Sequence, residues 1–176
     1  MIFYDFVGEE GYEIVNPCNE EDYEKFLFMG DKPWGAVPVR LTRADWRQTA
    51  LRSDFPCIGM GALIMRQESA NALADILKGN GECLPLLLED GSTLSVFKAQ
   101  VIDALDREAS DLDLIPGTDR IMLINRPVFF ADKVRGVDVF RLPHRASATY
   151  VSQRIVDRVK ELGLKGIAFE KVWSAE

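Results

Sequence analysis

Residues 138–172, DVFRLPHRASATYVSQRIVDRVKELGLKGIAFEKV, hold the pattern that decides the fold. Val139-Phe140-Arg141-Leu142 alternates and is rich in β-prone residues, as a half-buried strand requires. Residues 148–151 predict a second extended piece running into a helix at Ser152, whose hydroxyl suits an N-cap. Val151 and Val156 then occupy the two positions of a hydrophobic staple. Ile155, Val156, Val159 and Leu162 form one apolar stripe, leaving Arg154, Asp157, Arg158, Lys160 and Glu161 for water. Gly163 stops the helix, Lys160 suits the negative end of its dipole, and Gly166 turns the chain into a strand over 167–172. Burying such a stripe is worth roughly 1.5–3 kcal/mol per side chain, so the helix needs a sheet beneath it.

A similar order of elements occurs upstream. Ser53-Asp54-Phe55-Pro56 leads into a strand at 62–65 and a helix over 68–78 with Leu73, Ile76 and Leu77 inward. Gly79-Asn80-Gly81 stops it, and 83–88 reads as a buried strand closed by an Asp90-Gly91 turn. Residues 92–98 pair back as a hairpin. The two strand–helix–strand patterns hint at pseudo-symmetry without sequence identity between them. With most other segments strand-like, the class is α+β. It has a mixed, largely antiparallel sheet and two main amphipathic helices in strand–helix–strand units.

Length and composition set the bounds. The 176 residues predict one domain, 1–176, with an acidic N-terminal part over 1–50. A hydrophobic content of 47% and ten phenylalanines exclude a disordered chain. Net charge is −7, which argues against a nucleic-acid binder and is compatible with a basic partner. The opening MIFYDFVGEE lacks a basic region followed by an apolar run, so no signal peptide is expected. No apolar run approaches the ~20 residues of a membrane span. Three cysteines without paired spacing fit a reducing compartment, and the expected location is the cytoplasm.

Residues 2–7 predict an opening strand, with a short partner at 12–15 after a glycine-marked turn. Residues 1–31 carry nine acids against one base, Lys25. Asn19 suits the cap of a short helix starting Glu20-Glu21-Asp22, with Tyr23, Phe26 and Leu27 inward. Glu20, Glu21, Asp22 and Glu24 stand either as a docking surface for a cationic partner or as a solvated face. The connector at 30–38 separates them from a strand at 37–41, bracketed by Trp34 and Trp46; the tryptophan between prolines, Trp34, is expected in the core rather than as an exposed interface anchor. Five carboxylates within 101–113 lack the spacing of a calcium loop and read as a solvated turn. Residues 121–124 and 128–130 read as two strands or as one strand broken at Pro127, which cannot donate to a ladder and so points to a sheet edge.

Chemistry is sparse. His144 is the only histidine, so a histidine-paired nucleophile has no other base. With Arg141 and Arg145 it makes a candidate anion-binding loop, or a polar turn. Cys18 is expected exposed, and Cys57 and Cys83 buried and inert. No phosphate-binding glycine loop, nucleophile elbow, zinc spacing or cofactor motif is present.

Three pieces carry a resemblance: VIDALDREAS at 101–110, VDVFRLP at 137–143 and YVSQRIVDRVKELGLKGIAFEKV at 150–172, with a looser match in SDFP at 53–56 and the helix after it. In these the chain resembles immunity protein family eleven of bacterial polymorphic toxin systems, over roughly 51–176. The resemblance implies a small intracellular protein that binds and neutralises a cognate toxin by occlusion. It implies no catalytic residues, and no cofactor or metal. Two other readings stand beside it: a small enzyme acting on an anionic substrate through His144, and a scaffolding subunit.

Overall fold

The computed structural model describes residues 1–27, 34–35, 37–44, 50–59, 61–144 and 147–175. In chain order the strands are β1 (Ile2–Gly8), β2 (Val15–Pro17), β3 (Val39–Arg43), β4 (Leu63–Arg66), β5 (Gly81–Leu88) and β6 (Thr93–Ala99). They continue with β7 (Asp111–Leu114), β8 (Ile121–Arg126), β9 (Val139–Arg141), β10 (Thr149–Ser152) and β11 (Ile167–Ser174). The helices are α1 (Tyr23–Leu27), α2 (Gln67–Leu77) and α3 (Gln153–Glu161). One sheet has the order β11-β1-β10-β9 and is antiparallel throughout. The second, β2-β3-β5-β6-β4, has a single parallel pairing, β3 with β5. A two-stranded ribbon, β7-β8, stands apart from both.

The α+β class and the largely antiparallel pairing follow the sequence pattern. The third helix, α1, is only five residues long and sits near Glu20, where a short helix is expected. Both strand–helix–strand patterns turn out to be split units. β10 and β11 run antiparallel to β1, so they are parallel to each other with β1 between them. β4 and β5 flank β6 in the same way. In each unit the middle strand comes from outside the strand–helix–strand run, and no hydrophobic period can announce it.

The helices of the two units share one core. Leu73, Ile76 and Leu77 of α2 meet Ile155, Val156 and Val159 of α3 over Phe55, Phe97, Val139 and Val151. Arg158 ties the helices together, donating to Ala72 O at 3.1 Å and to both Asp75 carboxylate oxygens at 3.1 and 3.2 Å. The C-terminus of α3 is a Schellman closure: Gly163 N–H donates to Lys160 O and Leu164 N–H to Val159 O, both at 3.1 Å. Gly163 supplies the left-handed residue, at φ 63°. Because that closure draws Leu164 onto the core, Leu162 is left 49% exposed, and the fourth position of the expected stripe faces solvent.

Each sheet buries its other face separately. Beneath the second sheet, Phe26 of α1 and Trp34 pack edge to face, with centroids 5.1 Å apart, against Leu41, Ile64 and Leu88. Trp46 and much of the 30–38 connector lie outside the described residues. On the far side of the first sheet sits an aromatic cluster. Phe3 and Phe140 meet edge to face at 5.0 Å, and Phe129 meets Phe140 at 5.1 Å and Trp173 at 5.4 Å.

Several expectations are corrected. The segment after the first turn does not pair with β1: Tyr12 bridges to Leu51 and β2 pairs with β3 in the other sheet, so the chain changes sheets there. Residues 128–130 form no strand, only a bridge from Phe129 to Leu105. Part of the expected solvated turn at 101–113 is β7, paired to β8. The Asp106 carboxylate, which accepts from Glu108 N–H and Ala109 N–H, shapes the turn before it. The first half of β5 lies open, so Cys83 is exposed rather than buried, while Cys57 is half-buried.

Candidate functional site

The two sheets meet at a cleft of about 220 Å³. β1 pairs with β10 only through Phe3 and Tyr4, yet pairs with β11 along its whole length. From Asp5 onward the other edge of β1 is open, and it faces Ala62, Leu63 and Ile64 across the cleft. Asp5 is half-buried there; its carboxylate accepts from Phe6 N–H at 2.7 Å. Burial, only partly offset by that bond, raises the Asp5 carboxyl, and the charge of Glu170 raises it further. Glu170 stands directly opposite on β11.

Beside the cleft lies a buried charge cluster that sequence reading missed. Glu13 and Arg66 are 4% and 3% exposed and form an ion pair. Glu13 also accepts from Ser53 N–H and from Arg43 Nε, each at 3.0 Å, while Arg43 reaches Asp90 at 2.7 Å. Arg66 Nε donates to Ser53 O at 2.7 Å, so guanidinium and carboxylate hold the same loop. Burial alone would raise the Glu13 carboxyl, but the bonds from Ser53, Arg43 and Arg66 together hold it below its ordinary value. The only signal in the sequence was an arginine ending an apolar strand, and that does not identify its partner.

The expected docking segment divides. Glu20, Glu21 and Glu24 are exposed. Asp22 is 8% exposed and turned inward, held by Lys25 Nζ at 2.6 Å and the Asn19 amide at 3.3 Å. The Asn19 side chain thus serves Asp22 and does not cap the backbone. The Ser152 hydroxyl is likewise not a cap: it donates to Asp138 Oδ1 at 2.6 Å, and Arg154 holds the other Asp138 oxygen at 2.6 Å.

Of the candidate anion loop, Arg141 and His144 lie among the described residues. Arg141 is 5% exposed and donates through Nη2 to Ser147 O at 2.8 Å, across the base of the loop. Burial lowers its pKa. His144 is half-buried and its pKa is lowered, by burial first and then by Arg107, so the ring is neutral at pH 7. Among the described residues its ring hydrogen-bonds to no serine or cysteine. Arg145 lies outside the described residues. Among the described residues no group of three His, Cys, Asp or Glu side chains is placed to hold a metal ion. No helix among them is long and apolar enough to cross a membrane.

The fold and these sites can be set beside known proteins. No curated protein matches the chain. A family profile does match, from the second half of β6 to the end of β11, and so takes in the ribbon, β9, β10, α3 and β11. The looser likeness at 53–56 and α2 falls outside that span. The matching profile is that of the immunity protein family (Imm11), and it covers residues 96–174, which include the quoted pieces at 101–110, 137–143 and 150–172.

Proposed function

We propose that this chain is an immunity protein that binds a cognate bacterial toxin in the cytoplasm and neutralises it by occlusion, without catalysis of its own. The observation that carries this reading is the family match over 96–174, which spans β10, α3 and β11 of the C-terminal split unit but not its middle strand, β1. Two further features support it. The net charge of −7 favours a cationic partner, and complementary charge speeds encounter between proteins. Glu20, Glu21 and Glu24 present an exposed acidic face on the second sheet's side of the molecule, suited to steering such a partner.

Affinity capture of the tagged chain from its own cells, at low and at moderate salt, tests the reading. A stoichiometric partner with a toxin domain, whose toxicity the chain suppresses on co-expression, is the expected result. A chain that elutes alone and suppresses no toxicity refutes it. Reversing Glu20, Glu21 and Glu24 to lysine is expected to slow association and flatten its salt dependence. An unchanged on-rate moves the steering surface elsewhere.

A further inference from the structure

The first sheet ends in a long strand with one open edge. β11 stands first in the order β11-β1-β10-β9, and among the described residues it pairs with β1 alone. Glu9 N–H donates to Gly166 O at 3.2 Å, and hydrogen-bonded pairs alternate along an antiparallel ladder. Ala168 and Glu170 therefore turn their backbone groups toward β1, while Ile167, Phe169 and Lys171 turn theirs outward. The side chains of those three residues share one face. Phe169 stands opposite Phe6 and Lys171 opposite Tyr4, and Tyr4, Phe6, Ile167 and Phe169 all pack on the core that α2 and α3 share. Between that face and α3 runs a groove of about 430 Å³, lined by Val156, Val159, Leu164, Ile167 and Phe169. Its rim is cationic in a chain of net charge −7. Lys160 and Lys165 line the groove and Lys171 continues it; all three are exposed, and among the described residues none forms an ion pair. The carboxylate in the groove, Glu9, accepts from Gly166 N–H at 3.1 Å.

We infer that this groove receives an extended segment of a partner protein, added to β11 as a further strand of the first sheet. Two apolar side chains at alternate positions enter the groove, and a carboxylate at each end meets the lysines. A peptide that adds to a sheet edge takes affinity from main-chain hydrogen bonds and specificity from pockets for alternate side chains. Charge separates this occupant from a second copy of the chain. Antiparallel pairing of β11 with itself keeps both grooves on one face, and so brings two lysine rims together. The inference goes beyond the immunity reading and does not rest on it, because the groove selects the chemistry of the segment whatever protein carries it.

The test titrates the full-length chain with acetyl-Glu-Thr-Val-Thr-Val-Thr-Glu-amide, which carries that pattern, and reads amide shifts and hydrogen exchange by NMR. One control peptide has Gln for both Glu; another has N-methyl groups on both valines. Saturable binding that slows exchange at Ile167, Phe169 and Lys171 is expected, with Ala168 and Glu170, already turned to β1, unchanged. The N-methylated peptide cannot donate to the edge and is expected not to bind. The Gln peptide is expected to bind roughly three- to tenfold more weakly, the loss of two exposed ion pairs. That difference is expected to vanish in Lys160→Gln/Lys165→Gln/Lys171→Gln, which changes only exposed side chains and retains the fold. No protection at the alternate amides, equal binding of the N-methylated peptide, or an acidic-peptide advantage that survives the lysine variant overturns the inference. Protection of the three amides in the free chain that grows with its concentration also overturns it, and gives the edge to a second copy.

Discussion

Glu13→Gln tests whether the buried charge cluster is as demanding as its geometry implies. The carboxylate is almost fully enclosed and accepts from Arg66, Arg43 and Ser53 at once. The amide keeps one acceptor but points two donors among guanidinium donors, and it leaves Arg66, 3% exposed, without a counter-charge. Breaking one side of such a pair costs about 3–5 kcal/mol, a large share of a domain stability of about 5–15 kcal/mol. For a chain of this size that corresponds to a Tm lower by roughly 6–20 °C. Urea unfolding followed by circular dichroism measures the loss directly. The effect depends on pH with a definite sign. A carboxyl held below its ordinary value contributes stability above the unfolded value of 4.5 and loses it as the pH falls through the folded one. The gap between wild type and variant is therefore expected to close on acidification below about 4.5. Replacing both partners with methionine is expected to cost less than the sum of the single changes, because no unpaired charge remains. A single-variant loss under about 1 kcal/mol, or strict additivity in the double variant, refutes the reasoning.

Other expectations follow from the same geometry. A carboxyl raised in the fold opposes stability once the pH climbs above its unfolded value of 3.8, so Asp5→Asn is expected to stabilise the chain at pH 7. The size is about 0.2–1 kcal/mol, the cost of like charges opposed in a ladder, and thermal melts at pH 7 and pH 3 should show the gain at the first only. Gly166 has φ 93°, and a Cβ there would overlap the Ser53 hydroxyl. Gly166→Ala should therefore lower stability by about 1–3 kcal/mol in urea titrations. Leu73→Ala empties a fully buried position between α2 and α3 and is expected to cost about 2–5 kcal/mol, with m unchanged.

Local signals in the sequence determined more of the C-terminal unit than of the N-terminal third. The apolar stripe of α3, the staple at Val151 and Val156, and the glycine closure at Gly163 act within a few residues, so spacing alone reveals them. The likeness to the immunity family rests on the same stretch, because those positions fix the unit's core. Where local pattern and tertiary demand compete, the tertiary demand prevails. Ser152 has the chemistry of a cap, yet its hydroxyl goes to Asp138 because that buried carboxylate needs a donor. Leu162 carries the helical period, but the Schellman turn gives its place to Leu164.

What the sequence could not determine was which strands lie between which. β1 inserts between β10 and β11 from the far end of the chain, a choice made by long-range pairing and not by period. The partners of Glu13 stand 30, 40 and 53 residues away, and no spacing rule spans such gaps. The cleft at Asp5 is likewise purely tertiary. It exists because β10 stops short of β1 where the second sheet arrives, leaving a carboxylate that neither sheet neutralises.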